Sequence, residues 1–329
     1  MPPRELPYDR PRLDRLRRGA VVVVGEPAVF WVDGPAALAC LQGLLTNDLD
    51  KPGEHSLIYG ALLTPKGAIV VDYWVFREPE RFALIAPIEG RLASHELFRR
   101  QLPPRLARIA DATGQVAVAW LVGAQAFAAL ARSTIKPIPE AAGRTATLDY
   151  PDGRLLLGLA PETAPFAAVA LGPRGAIDEF ANALVAVGVD PGTPEDAEAA
   201  RILAGWPALG AEIDDRTLPQ EVRFDQLGGL SYTKGCYVGQ ETVARLHFRG
   251  HTNRELRGLV WRGKAPLEGD AVTASGRAVG SVRSTLALDD RLLGLSPIRR
   301  EVEAGEEVEA GGRTARVVTL PFGAEDLDG

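Results

Sequence analysis

Hydrophobic and polar positions along this chain form short blocks, each bounded by glycine, proline or a capping residue. Residues 20–32 are rich in Val, with Phe30 and Trp31, and read as a strand pair or one long bent strand. Asp33 then stands at a helix start, with Gly34 and Pro35 behind it and an Ala/Leu run to Leu45 that contains Cys40. Thr46, Asn47 and Asp48 end that helix, either as a local turn or as a polar cluster facing a ligand. Residues 59–64 and 68–76 flank Pro65-Lys66-Gly67 as a hairpin, and 145–150 and 154–159 flank Pro151-Asp152-Gly153 in the same way. Further strands are predicted at 81–86, 115–122 and 166–171. Helices are predicted at 90–102, 123–130, 176–187 and 193–204. The last has Thr193 at the N-cap, Pro194 at the first turn and Gly205 after its end.

After about residue 255 the helical period stops, and short Val/Leu strands alternate with glycine turns, the pattern of a small β-barrel. No strand carries a Gly-rich phosphate loop behind it, so the fold class is α+β rather than a doubly wound dinucleotide fold. The expected organisation is a 1–250 region of two interleaved α+β lobes followed by a barrel over 251–329. The arginine-rich N-terminus reads as a solvated, partly frayed end, and 325–329 as a disordered acidic tail.

Charge and cysteine count narrow the function. The net charge of −6 disfavours direct nucleic-acid binding, which needs a broad basic surface. No stretch reads as a membrane span or a secretory leader. Two cysteines, Cys40 and Cys236, suit a reducing cytoplasm and cannot by themselves hold an iron–sulfur cluster. His247 and His251 are four apart, but Gly250 lies between them, and no metal site is expected. Arg245, Arg249, Arg254 and Arg257 read as a solvated edge, or as a receiver for an anionic partner such as a polyglutamate tail.

Residues 231–241, Ser-Tyr-Thr-Lys-Gly-Cys-Tyr-Val-Gly-Gln-Glu, follow neither helix nor strand period. Lys234 stands two residues before Cys236, and Gln240-Glu241 open a stretch of helix formers. A nearby ammonium and a helix N-terminus both favour thiolate, so Cys236 suits a reactive thiol; the other reading packs it in the core beside Tyr237. Upstream, 201–221 reads as a helix end and then an extended strand with Glu212 and Asp214, leading to Leu218-Pro219-Gln220-Glu221. A carboxylate there, Glu221, can accept paired N–H bonds from an amino-pyrimidine, or it is a solvated loop acid.

The eight residues 234–241 match K-G-C-Y-x-G-Q-E at every fixed position, and here the chain resembles the YgfZ-like folate-binding proteins, relatives of the glycine-cleavage T protein (aminomethyltransferase). The Leu-Gln-Gly and Thr-Asn-Asp of 34–48, the Leu-Pro-x-Glu of 218–221 and the closing Leu320-Pro321-Phe322 are similar too. The resemblance implies a three-lobed ring with a C-terminal barrel, its central channel holding tetrahydrofolate. It further implies a role in assembling or maintaining iron–sulfur clusters in partner proteins, with an effect on tRNA modification. By the same resemblance Cys236 and Lys234 are the catalytic positions, and Glu221, Tyr237, Gln240, Glu241, Arg245 and Asn47 the folate-binding ones. T-protein enzymes carry an assisting aspartate after a Gly-Gly pattern. In 66–72 there is one glycine and Asp72 falls one residue late, which by strand alternation turns it to the opposite face. Folate-dependent aminomethyl transfer and a non-catalytic interaction module are the alternatives.

Overall fold

The Val-rich run at 20–32 divides at Glu26 and Pro27, and its two halves serve different sheets. The computed structural model describes residues 4–133, 135–263 and 265–328. In chain order its strands are β1 Arg4–Pro7, β2 Val21–Gly25, β3 Ala28–Asp33, β4 Ser56–Leu63, β5 Ile69–Arg77, β6 Arg81–Ala86, β7 Arg108–Asp111, β8 Ala117–Val122, β9 Thr145–Tyr150, β10 Gly153–Leu159, β11 Ala168–Gly172, β12 Asp190–Pro191, β13 Arg254–Arg262, β14 Ala271–Ala274, β15 Arg277–Ser281, β16 Ser284–Ala287, β17 Arg291–Arg299, β18 Glu307–Ala310 and β19 Arg313–Val318. The helices are α1 Arg10–Arg18, α2 Ala37–Gln42, α3 Arg91–Gln101, α4 Ala126–Arg132, α5 Arg174–Val185, α6 Pro194–Ala204, α7 Gln240–Arg249 and α8 Ala324–Asp328. None of them is long and apolar enough to cross a membrane.

Three sheets organise the chain. One runs β12-β2-β8-β11-β10-β9, a second β4-β5-β6-β3-β7, and a third β1-β16-β17-β13-β19-β18-β14-β15. In the third, β15 also pairs with β17 at Gly280 and Ile298, which closes six antiparallel strands into the barrel expected from the texture after residue 255. Closure removes the free sheet edges that short strands would otherwise present. The faces of all three sheets contribute to one core cluster, which includes Val118 and Leu171, Tyr59 and Trp74, and Leu286 and Leu295. The expected α+β class with a C-terminal barrel therefore holds.

Local expectations fail where a side chain finds a distant partner. Asp33 closes β3 instead of capping a helix: it pairs in register with Arg108, whose Nη2 lies 2.9 Å from its carboxylate. The helix starts at Ala37, after a turn at Gly34 (φ 127°), where a Cβ would stand 2.6 Å from the Leu106 carbonyl oxygen. The N-terminus is not frayed: β1 pairs in parallel with β16, and α1 packs on the molecule through Leu13 and Leu16. The acidic end is ordered as α8, with Gly329 outside the described residues. Arg17 holds Asp328 at 2.6 Å and Arg316 holds Asp326 at 2.7 Å.

The stretch carrying Glu212 and Asp214 is an irregular turn rather than a strand. Glu212 is buried against Arg201 at 3.0 Å and also accepts the Ala208 N–H, while Thr217 donates its hydroxyl to Asp214 at 2.8 Å. Bonds of this kind, from side chain to nearby backbone and to a buried cation, displace the ladder that the alternation suggested.

Candidate functional site

Helix α7 begins at Gln240 because Gly239 ahead of it takes a left-handed backbone, φ 84°. A side chain there is excluded twice over, since a Cβ would lie 2.6 Å from the Thr64 carbonyl oxygen and 3.2 Å from Gly67. Gly67, φ 89°, returns the contact, its would-be Cβ standing 2.8 Å from the Thr242 side chain. The hairpin between β4 and β5 is thereby locked against the start of α7, which fixes where the 234–238 loop emerges.

In that loop Cys236 is exposed and Tyr237 is buried, so of the two readings of the thiol the packed one does not hold. The Tyr237 hydroxyl has no hydrogen-bond partner among the described residues, and burial raises its pKa. Lys234 reaches back towards the end of α2, where its ammonium donates to the carbonyls of Leu45 and Asn47, each at 2.7 Å. Burial lowers its pKa to about 8, with Asp48 pulling the other way. The ammonium is thus committed to carbonyl groups rather than standing free for the thiol. The Asn47 amide is likewise committed, donating to the carbonyls of Tyr59 at 2.8 Å and Gly228 at 2.7 Å. Thr46 adds a third tie, donating to the Gly229 carbonyl at 2.7 Å. Together these bonds stitch the end of α2 to the segment before the loop. Gln240 stands at the first position of α7, while Glu241 and Arg245 are exposed on its surface.

Glu221 lies in a 3-10 turn, Pro219–Val222, and its carboxylate accepts the Leu218 N–H at 3.0 Å. Burial raises its pKa, and part of its acceptor capacity closes its own turn.

Sequence counting put a second carboxylate, Asp72, on the wrong face of its strand. A β-bulge in β5 shifts the register, so that Leu62 pairs with Val71 but Leu63 with Ile69. The extra residue reverses the alternation, and Asp72 comes to the same face as Trp74 and Tyr59, against the count made from Gly67. Tyr59 donates to Asp72 Oδ2 at 3.0 Å, while Asp72 Oδ1 is buried with no partner among the described residues. Burial pushes the Asp72 pKa up to about 6, against the Tyr59 hydrogen bond that holds it down. Asp72 lies in the wall of a cavity of about 290 Å³ that is otherwise mostly apolar, with Trp74, Trp120, Phe166 and Trp206. Trp74 stacks on Trp206 at 5.6 Å and 19°, with Phe166 edge-on at 4.9 Å. Trp74 also lines a larger neighbouring cavity of about 810 Å³ with Tyr59, Asn47 and Tyr232. The signal that could have found Asp72 is a lone acid inside the apolar run 69–76.

A mostly apolar cleft with a buried carboxylate, and with Arg201 already paired to Glu212 and Glu198, suits a flat, amphiphilic ring that presents N–H groups. The smaller cavity has room for a bicyclic head group, and Asp72, with Oδ1 buried without a partner among the described residues, is the carboxylate in its wall. By this measure the residues present fit the head group of a folate.

Residues 20–147 match the family model described as the GCVT N-terminal domain. The chain is 29% identical over 323 residues to the tRNA-modifying protein YgfZ of an Enterobacter species, covering 93% of this chain and 94% of that protein. It is 28% identical over 318 residues to the tRNA-modifying protein YgfZ of Cronobacter sakazakii, covering 91% and 92%. Among solved structures, the glycine cleavage system aminomethyltransferase T from Bartonella henselae matches with a TM-score of 0.74 at 19% identity, over 95% of this chain and 89% of that one. This last likeness establishes the fold.

Proposed function

A relative of the YgfZ proteins along most of its length, and built on the T-protein fold, the chain is, we propose, a tetrahydrofolate-binding accessory protein for iron–sulfur enzymes. The observation that carries the folate part is Asp72: a buried carboxylate with one unpartnered oxygen in a tryptophan-lined cavity. Ionised at neutral pH, it accepts the pterin N–H pair while Trp74, Trp206 and Phe166 exclude water from the ring. Tyr59 holds the carboxylate, and Asn47 and Thr46 hold the neighbouring backbone in place.

The exposed Cys236 is the group through which the protein meets its partner in the cytoplasm, and Lys234 acts by fixing the loop's base rather than by charging the thiol. The cluster belongs to that partner. The name of the curated relatives supports an effect on tRNA modification, and the partner would then be an iron–sulfur enzyme or assembly factor of that pathway.

Asp72 also favours a second reading, folate-dependent one-carbon transfer, because it stands on the face where an assisting carboxylate is useful.

Calorimetric titration with reduced folate tests the proposal on wild type, Asp72→Asn and Glu221→Ala. The expected result is saturable binding to wild type, weakened about tenfold or more in Asp72→Asn and little changed in Glu221→Ala. Loss confined to Glu221→Ala would move the pterin to the 219–222 turn, and no binding to wild type would end the folate reading. Release of a one-carbon unit from an aminomethyl donor would replace accessory function by transfer. In cells lacking the protein, failure of Cys236→Ser to restore iron–sulfur enzyme activity is the expected result; full restoration would remove the thiol from the mechanism.

A further inference from the structure

A third cavity, of about 430 Å³, opens where the 3-10 turn, α7, β13 and the chain at Thr319 and Leu320 meet. It includes neither Asp72 nor Cys236. Two guanidinium groups, Arg223 and Arg257, and two imidazoles, His247 and His251, stand in its wall.

Arg223 is buried, and its nitrogens donate to Gly205 O at 3.0 Å, Leu320 O at 2.9 Å and Gln226 Oε1 at 3.0 Å. These acceptors and a fourth, Ala204 O at 3.4 Å, are all neutral, so the guanidinium is well anchored while no carboxylate takes part in its bonds. Burial holds its pKa below the usual arginine range. Asp225 pulls it up and the nearby charge of Arg257 pushes it further down. Two like charges therefore meet across one cavity wall.

Arg257 is bound on one side only. Its Nη2 lies 2.6 Å from Glu255 Oε2, while its Nε is buried and has no hydrogen-bond partner among the described residues. A buried donor left unmade on a cation is costly, and a planar fork is completed best by an oxyanion. Beside it Tyr232 and His247 stack at 3.7 Å and 14°, giving the cavity a flat, rigid wall that carries ring nitrogens. Asp225 and Glu255 also line the cavity and offset the two guanidinium charges, so the unmade Nε–H of Arg257 rather than a net positive wall is what favours an anion. A compact group that reaches Arg257 is accommodated, whereas a long polyanion meets the two carboxylates.

We propose that this cavity is a binding site for a single oxyanion, the carboxylate or phosphate of a small ligand, held by Arg257 with His247 and His251 alongside. Arg223 is the positioning residue, fixing the turn and contributing field rather than a bond. The site shares no residue with the Asp72 cavity, while Asp225, Gln226 and Tyr232 also line the larger cavity beside it.

The chain has four histidines, His55, His95, His247 and His251, so imidazole NMR resonances report where an anion binds. Inorganic phosphate and glutarate, titrated separately, distinguish the two sources of the oxyanion. Saturable shifts confined to His247 and His251 are expected with one of them, and the one that acts names the ligand class. Arg257→Gln, at a strand position with its side chain 23% exposed, is expected to weaken that binding about tenfold or more without loss of fold. Absence of shifts with both anions in the wild type, or equal affinity in Arg257→Gln, would overturn the proposal.

Discussion

Gly239 and Gly67 lie against each other, a Cβ on the first falling 3.2 Å from the Cα of the second. They are 172 residues apart in sequence, and both take left-handed backbone. Gly235, in the same loop, has open space where a Cβ would go. Gly239→Ala is therefore expected to destabilise the protein by about 1–3 kcal/mol, and Gly235→Ala by less than about 0.5 kcal/mol. Thermal unfolding of the two variants side by side checks the contrast. Equal losses would mean that the loop's conformation, not this contact, demands the glycines.

The Asp72 carboxyl has a folded pKa of about 6, raised from an ordinary 3.8. A raised carboxyl pKa means that the unfolded chain gives up this proton first. Folding stability from this group is then greatest at low pH, falls as pH rises from about 4 to 6, and is flat above. The size is about 2–3 kcal/mol. Asp72→Asn keeps the acceptor for Tyr59 and is expected to abolish this slope and raise stability at neutral pH. Urea unfolding between pH 4 and 7 measures it, and an unchanged slope in the variant would refute the assignment.

Lys234 supplies the donor for two main-chain carbonyls at the end of α2. Lys234→Met leaves both without it and is expected to cost about 1–3 kcal/mol. The lowered folded pKa of the amine adds a pH signature. Stability in the wild type rises between about pH 8 and its ordinary 10.5, because the unfolded chain still holds the proton there and the folded one does not. The variant should lack that rise in denaturant melts taken across this range.

Asp326 is buried and joins α8 to the barrel, accepting Arg316 at 2.7 Å and the Gly323 N–H at 3.0 Å. Asp326→Ala is expected to lower stability by about 1–3 kcal/mol and to increase hydrogen exchange at 324–328. A disordered tail would give neither effect.

What the sequence determined by itself is the part of the molecule written in local chemistry. The Thr193–Pro194 start and Gly205 end of α6, the turns at 65–67 and 151–153, and the change of period near 255 each depend on neighbours within a few residues. The stretch 234–241 was equally legible, because seven specified positions identify a relationship without any geometry. Tertiary structure alone decided where charges end. Arg17 meets Asp328 across 311 residues, Lys234 meets Asn47 across 187, and Asp33 is taken by Arg108 from a neighbouring strand. No local period encodes such pairs; they follow from which surfaces the three sheets bring together. Asp72 was put on the wrong face for a related reason. Alternation along a strand predicts facing only while the register is unbroken, and one bulged residue in β5 turned the carboxylate towards the tryptophans at the centre of the molecule.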